Sequence, residues 1–303
     1  MSILIDKNTK VLVQGITGKE GGRAAEDMLA YGTAVIGGTS PGKGGAREKN
    51  NLPVFNSVAE AMAAYPDIGA SMIAVPAPFV FDAAMEAIAS RIPLIVILSE
   101  KVPVSHVAKI IAHAKLNGVR IVGPSSIGII SPGRAKIGSV GAAGIADRIF
   151  SPGTVGVISK SGGMTAELSR ILTDAGIGQS TAIGIGGDLL IGTDFVDAAL
   201  LFEQDKDTKA LAIFGEIGGT YEEQLADAIR QKKITKPVVA LIAGQFSEQL
   251  ATGAVLGHAG AIVMKGAGSF TSKIKALREA GAIVAETPED IPVHLQQLLG
   301  KTI

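Results

Sequence analysis

Lys10-Val11-Leu12-Val13-Gln14-Gly15-Ile16-Thr17-Gly18-Lys19-Glu20-Gly21-Gly22 decides the fold. The first five residues read as a buried strand. Gly15-x-x-Gly18-x-x-Gly21 then turns the chain, and a helical period runs on to Tyr31. A strand feeding a glycine turn and a helix N-terminus leaves backbone N–H groups free to cradle phosphate, in a variant of the dinucleotide fingerprint. The same succession of apolar run, glycine-rich turn and helical period recurs along the chain. Further β-rich runs cover 34–37, 70–75, 94–98 and 120–122, with helical stretches at 58–64, 79–90 and 104–117. A second series begins after Pro152, with strands expected at 154–159, 180–184, 210–214, 238–243 and 282–285. Its helices are expected at 162–175, 195–204, 221–232 and 269–280. Strands alternating with helices imply parallel pairing, because each crossover lays a helix on a sheet face. The expected architecture is therefore α/β, with two doubly wound parallel sheets. Residues 123–152 are rich in Gly, Ser and Pro with little periodicity, and read as an interdomain connection carrying loops.

Bulk properties agree with two domains. The chain has 303 residues, 47% hydrophobic and 18% charged, enough apolar surface for substantial cores. Lys+Arg and Asp+Glu are both 28, so no net field recruits nucleic acid or an anionic membrane, and any anion site must be local. The absence of cysteine excludes disulfides, thiolate nucleophiles and cysteine-ligated metals; no metal site is expected on this chain. The start Met1-Ser2-Ile3-Leu4-Ile5-Asp6-Lys7 lacks the basic opening and apolar core of a signal peptide. No apolar run approaches a membrane span. A cytoplasmic protein is expected, or an organelle-matrix protein if a transit peptide was removed. The 39 glycines cluster at strand-to-helix junctions without a three-residue period, which suits phosphate binding and excludes collagen.

The loops after the strands carry the candidate chemistry. A nicotinamide dinucleotide needs an acid at the end of the second strand to hold its ribose. This chain instead has Gly37-Gly38-Thr39-Ser40-Pro41-Gly42-Lys43-Gly44-Gly45. Lys43 there suggests a ligand rich in phosphates, the alternative being a solvated loop cation. Val75-Pro76-Ala77-Pro78 and Ser99-Glu100 follow the next strands. Ligands of open parallel sheets bind outside the carboxyl ends of strands, so these loops converge on one crevice. In the second half, Ser159-Lys160-Ser161-Gly162-Gly163-Met164-Thr165 ends a strand and starts a helix, a second anion cradle. Ser161 lacks the G-x-S-x-G setting of a nucleophile elbow and is expected to cap the helix. Gly215-Glu216-Ile217-Gly218-Gly219 and Leu256-Gly257-His258-Ala259-Gly260-Ala261-Ile262 each bracket one titratable residue with glycines. A carboxylate accepting the imidazole N–H would fix the tautomer and make the other nitrogen a better nucleophile. His258, Glu216 and the cradle at Ser161 together describe a phosphoryl-accepting histidine; the alternative is three unrelated loops.

These motifs, in order, resemble the α subunits of succinyl-CoA synthetases, within the wider family of NDP-forming acid–CoA ligases. The resemblance runs from Ser2-Ile3-Leu4-Ile5-Asp6-Lys7-Asn8-Thr9-Lys10-Val11 through Pro41-Gly42-Lys43-Gly44-Gly45 and Gly184-Ile185-Gly186-Gly187-Asp188 to Gly257-His258-Ala259-Gly260-Ala261-Ile262. It implies a Rossmann-like CoA-binding domain over 1–128 and a flavodoxin-like ligase domain over 129–303. It also implies that Thr17, Gly18, Lys19, Glu20 and Lys43 contact coenzyme A, with Val75, Pro76, Ser99 and Glu100 lining the rest of the crevice. His258 would be the phosphohistidine and Glu216 its carboxylate partner. Ser161, Gly162 and Gly163 would open the helix that stabilises the phosphorylated ring. A β subunit with an ATP-grasp domain, in an αβ or α2β2 assembly, would supply ATP or GTP and Mg2+; this chain has no Walker A motif.

Departures from the family gather at the acid. Gly123-Pro124-Ser125-Ser126-Ile127-Gly128 stands where succinyl-CoA synthetases usually read G-P-N-C-P-G. Ser161-Gly162-Gly163-Met164-Thr165-Ala166-Glu167 stands for S-G-T-L-T-Y-E. Ser125, Ser126 and Ala166 are thus expected to reshape the acid pocket. The Ser-Gly-Gly-Met form and the longer segment 139–151 resemble citryl-CoA synthetase and ATP-citrate lyase. Succinate is the default acid, with citrate, malate or a sulfonated acid as alternatives. A non-catalytic CoA-binding regulator would be expected to lose the histidine or its acid, and both are present.

Overall fold

The computed structural model describes residues 2–141, 144–246 and 268–300. Strand β1 (Lys10–Gln14) lies mid-sheet, and its Val11, Leu12 and Val13 are all fully buried because helices cover both faces. Strand β2 (Ala34–Thr39) pairs parallel on one side and leads to β3 (Val54–Phe55). On the other side β4 (Ile68–Ile73), β5 (Leu94–Ile97) and β6 (Arg120–Val122) follow, all parallel. The order β3-β2-β1-β4-β5-β6 is the Rossmann order, whose direction of winding reverses between β1 and β4. The crossovers run through α1 (Lys19–Ala30), α2 (Val58–Ala64), α3 (Val80–Ala89) and α4 (Val104–Leu116). Helix α1 buries Gly21, Ala24, Ala25 and Met28, a stripe at the spacing of one helical face.

The second sheet is built on β9 (Pro152–Ser159), β10 (Gln179–Gly184), β11 (Ala210–Glu216), β12 (Val238–Ala243) and β13 (Ile283–Val284). These five are parallel in the order β10-β9-β11-β12-β13, the flavodoxin winding. Helices α6 (Gly162–Asp174), α7 (Phe195–Gln204), α8 (Tyr221–Arg230), α9 (Phe270–Glu279) and α10 (Asp290–Leu298) accompany it, with a single turn α5 (Ala146–Ile149) before β9.

One expectation fails. The connection read as irregular contains a hairpin, β7 (Gly128–Ser131) and β8 (Ala135–Gly138), which joins the second sheet antiparallel beside β10. The second sheet is therefore mixed rather than wholly parallel. Both hairpin strands are buried at every residue, so no alternation of apolar and polar side chains betrayed them. Gly128 is required here: at φ +114° a Cβ would sit 1.9 Å from the Ile137 carbonyl oxygen.

The hairpin also clamps the two sheets together. Lys136 on β8 is fully buried and its ammonium pairs with Asp27 on α1, while donating to the Gly141 carbonyl at 2.9 Å. Thr33 bonds both backbone groups of Lys136, at 2.8 and 3.0 Å. Burial lowers the Lys136 pKa, and the neighbouring Asp27 opposes that shift.

Candidate active site

The glycine turn after β1 is as tight as its sequence requires. A Cβ on Gly21 would come within 2.2 Å of the Gly15 carbonyl oxygen, and Gly15 itself has φ +86°. Helix α1 starts at Gly18 with no side chain capping its first turn. Its leading N–H groups therefore face outward at the positive end of the helix, as a phosphate cradle needs. Helix α6 starts differently. The Ser161 hydroxyl accepts from the Met164 N–H at 3.4 Å, the cap expected from sequence. Ser159 braces the turn between them, accepting from Ser161 N–H and donating to the Ser161 carbonyl.

These two helix starts share one cleft of about 790 Å³. Gly18, Lys19 and Glu20 line it from the first sheet, with Val75, Pro76, Ser99 and Glu100; Ser125, Ser126, Ser161, Gly162 and Gly163 line it from beyond. A second cavity of about 610 Å³ adjoins, lined by Thr17, Gln14, Asn56 and Phe79, and sharing Gly18, Val75 and Pro76 with the first. Lys43 lines neither wall, but its ammonium donates to the Thr17 hydroxyl at 3.1 Å, next to the turn. Volumes of this size suit an extended cofactor. The glycine cradle, uncapped helix and nearby lysine fit the phosphates of coenzyme A.

On the wall expected from sequence to face the acid, the residues have unequal parts. The Ser126 hydroxyl is committed to backbone, donating to Gly184 and accepting from Gly128, so it holds the loop in shape. Ser125 adopts φ +58°. Gly163 is exposed on the cleft wall, and a Cβ there would meet nothing within 4 Å. Ala166 lies further along α6 and is not part of that wall. The open space along this wall therefore sits at Gly163.

Glu216 ends β11 and is held from behind. Its backbone N–H donates to Glu222 at 3.1 Å; Glu222 and Lys273 form a fully buried ion pair, and Lys273 also meets Glu223 at 3.1 Å. The Glu216 carboxylate lies 3.3 Å from the ammonium of Lys160, which is only 2% exposed yet borders the cleft. The Lys160 ammonium also lies 5.8 Å from the centre of the Tyr221 ring, whose phenol pKa burial raises. His258 lies outside the described residues.

Residues 6–101 match the model of a CoA binding domain and residues 158–283 that of a CoA-ligase. The ADP-forming succinate–CoA ligase subunit alpha 2 of Archaeoglobus fulgidus is 46% identical over 299 residues, 99% of this chain and 100% of that one. The chain belongs to the succinate–CoA ligase α-subunit family. The corresponding subunit of Aquifex aeolicus is 44% identical over 99% of this α subunit and 95% of its own length. Among solved structures, an ATP citrate lyase from Methanothrix soehngenii in complex with citrate and coenzyme A matches with a TM-score of 0.92 at 28% identity. That match covers 98% of this α subunit and 50% of the lyase chain, so the subunit spans about half of it.

Sequence reasoning about the α subunit passed over Lys160. It stands inside a quoted motif, but its partner Glu216 is far along the chain, and only the neighbouring placement of β9 and β11 brings the two together. Ile127 and Ser139, from the two segments that depart from the family pattern, also line the cleft, while Phe79 in the second cavity was missed, since its place depends on packing.

Proposed function

We propose that this subunit, working with an ATP-grasp β subunit that supplies ATP or GTP and Mg2+, activates a small carboxylic acid and passes its acyl group to coenzyme A. The carrying observation is that a single cleft joins the phosphate cradle of α1 to the start of α6, with Glu216 paired to a lysine on its border. His258 accepts the phosphoryl group on one ring nitrogen while Glu216 holds the N–H of the other. Transfer to the acid breaks the P–N bond, returns its electron pair to the ring and forms a P–O bond to a carboxylate oxygen. Coenzyme A supplies the thiol that displaces phosphate, whose oxygen takes up the thiol proton. Gly18, Lys19, Glu20, Val75, Pro76, Ser99 and Glu100 hold and orient that cofactor, and Ser161 to Gly163 present their helix end to the transferring phosphate.

Incubated with its β subunit and labelled nucleoside triphosphate, the protein is expected to carry acid-labile, base-stable phosphate on His258. Undiminished label in His258→Ala would sink the assignment.

Succinate is the default acid, as the relatives' names indicate. The open space at Gly163 supports a second reading, an acid bulkier than succinate such as citrate, malate or a sulfonated analogue. A screen of these acids with the reconstituted enzyme separates the two readings. Under the second, Gly163→Thr should raise the KM for the bulkier acid at least fivefold and leave succinate turnover nearly unchanged.

A further inference from the structure

Gln14 ends β1, lines the second cavity and is only 2% exposed. Its side-chain nitrogen donates to the Ser71 hydroxyl at 3.0 Å and to the Ala83 carbonyl at 2.9 Å, so both amide hydrogens are used. A carbonyl can only accept, so the bond to Ala83 fixes which end of the amide is nitrogen. The Gln14 carbonyl oxygen accepts from no donor among the described residues. It is not sealed in protein either, and opens onto the cavity. A second feature points the same way. Phe79 lines the same cavity yet is 61% exposed, with no ring stacked on it among the described residues. No lysine or arginine lines the cavity among the described residues, whereas Asp82 and Glu86 do. Such a lining repels a phosphate and suits a neutral, planar group with hydrogens to donate.

Resting on the reading that coenzyme A fills the adjoining cavities, we infer that Gln14 selects the base of that cofactor, its carbonyl oxygen accepting from the exocyclic amino group of adenine. The cavities meet at Gly18, Val75 and Pro76, beside the glycine cradle that takes the phosphates. The thiol must reach the start of α6, which lines the first cleft and not the second, so the pantetheine arm runs that way. The nucleoside half turns into the second cavity, where the Phe79 ring stacks on the base. Adenine offers an N–H where Gln14 has its oxygen. Guanine or hypoxanthine would set a carbonyl oxygen there instead, two acceptors facing each other with no proton between them. Ser71 and Ala83 stop the amide from turning over to suit the wrong base. Gln14 therefore acts on the choice of cofactor and takes no part in the chemical steps.

The test is isothermal titration of the reconstituted αβ enzyme with coenzyme A and with its hypoxanthine analogue, in which a carbonyl replaces the amino group. The parent is expected to bind the analogue at least about tenfold more weakly. Gln14→Met, checked for native circular dichroism, removes the acceptor and should bring the two affinities within about threefold of each other. Phe79→Ala should weaken both compounds by a similar factor, since stacking does not read the amino group. If Gln14→Met does not fold, Gln14→Asn is read in the same way, its oxygen drawn back by one methylene. Equal binding of the two compounds by the parent, or the parental preference retained in the folded Gln14 variant, overturns the assignment. Failure of the parent to bind either compound would instead refute the coenzyme A reading, which keeps the two failures apart.

Discussion

Lys43 stands off both cavity walls, yet its ammonium reaches the hydroxyl of Thr17 at the edge of the glycine turn. A lysine on a glycine-rich loop is a point charge with reach, suited to a phosphate that the backbone cradle does not enclose. Lys43→Ala is expected to raise the KM for coenzyme A about tenfold, the worth of one exposed charge-assisted contact of roughly 1.4 kcal/mol. Charging of His258 by nucleotide should be unaffected, and an equal loss in both measurements would contradict the placement. A lysine of this kind is legible in sequence as a candidate, because a glycine bracket around one charged side chain is a local pattern. Lys160 was not, since its meaning comes from a partner brought alongside by the pairing of β9 with β11.

Among elements, the strands and helices that stood between glycine turns were found where the periodicity placed them, within a few residues. The hairpin was not, because four-residue strands buried on both faces carry neither alternation nor length. Helix α7 shows how an element end is secured far from the site. Glu203 accepts from the Thr235 hydroxyl and from the backbone N–H groups of Thr235 and Lys236. Partial burial pushes its pKa up, but these hydrogen bonds outweigh burial and hold the carboxyl below its ordinary value. The stabilisation is therefore complete above the unfolded value near ~4.3 and is lost as the pH falls through the depressed folded value. Thermal melts between neutral pH and pH ~3 should show a shallower acid decline in Glu203→Gln than in the parent. Parallel curves would remove Glu203 from the account.

At the scale of the whole molecule, the two sheets are joined by a charge that neither could hold alone. Lys136 from the hairpin is fully buried against Asp27 of α1, itself only 10% exposed. Removing one partner of such a pair strands the other charge, at a cost of about 3–5 kcal/mol. Lys136→Met should lose stability on that order in urea unfolding, and Asp27→Asn/Lys136→Met should regain much of it. A single variant as stable as the parent would show that the sheets are held by other contacts. Helix α1 is thus fixed at both ends of its task, its first turn bordering the cleft and its last turns locked to the hairpin.

The shared cleft has a consequence for the fate of the acyl phosphate. A mixed anhydride released to solvent meets water at ~55 M, whereas a thiol held beside it can act at effective concentrations of roughly 10⁵ M or more. Because Gly18 and Gly163 line the same cleft, the activated acid need not travel to find its acceptor. The architecture favours capture over leakage, so nucleotide consumed without thioester formed should be a minor fraction of turnover.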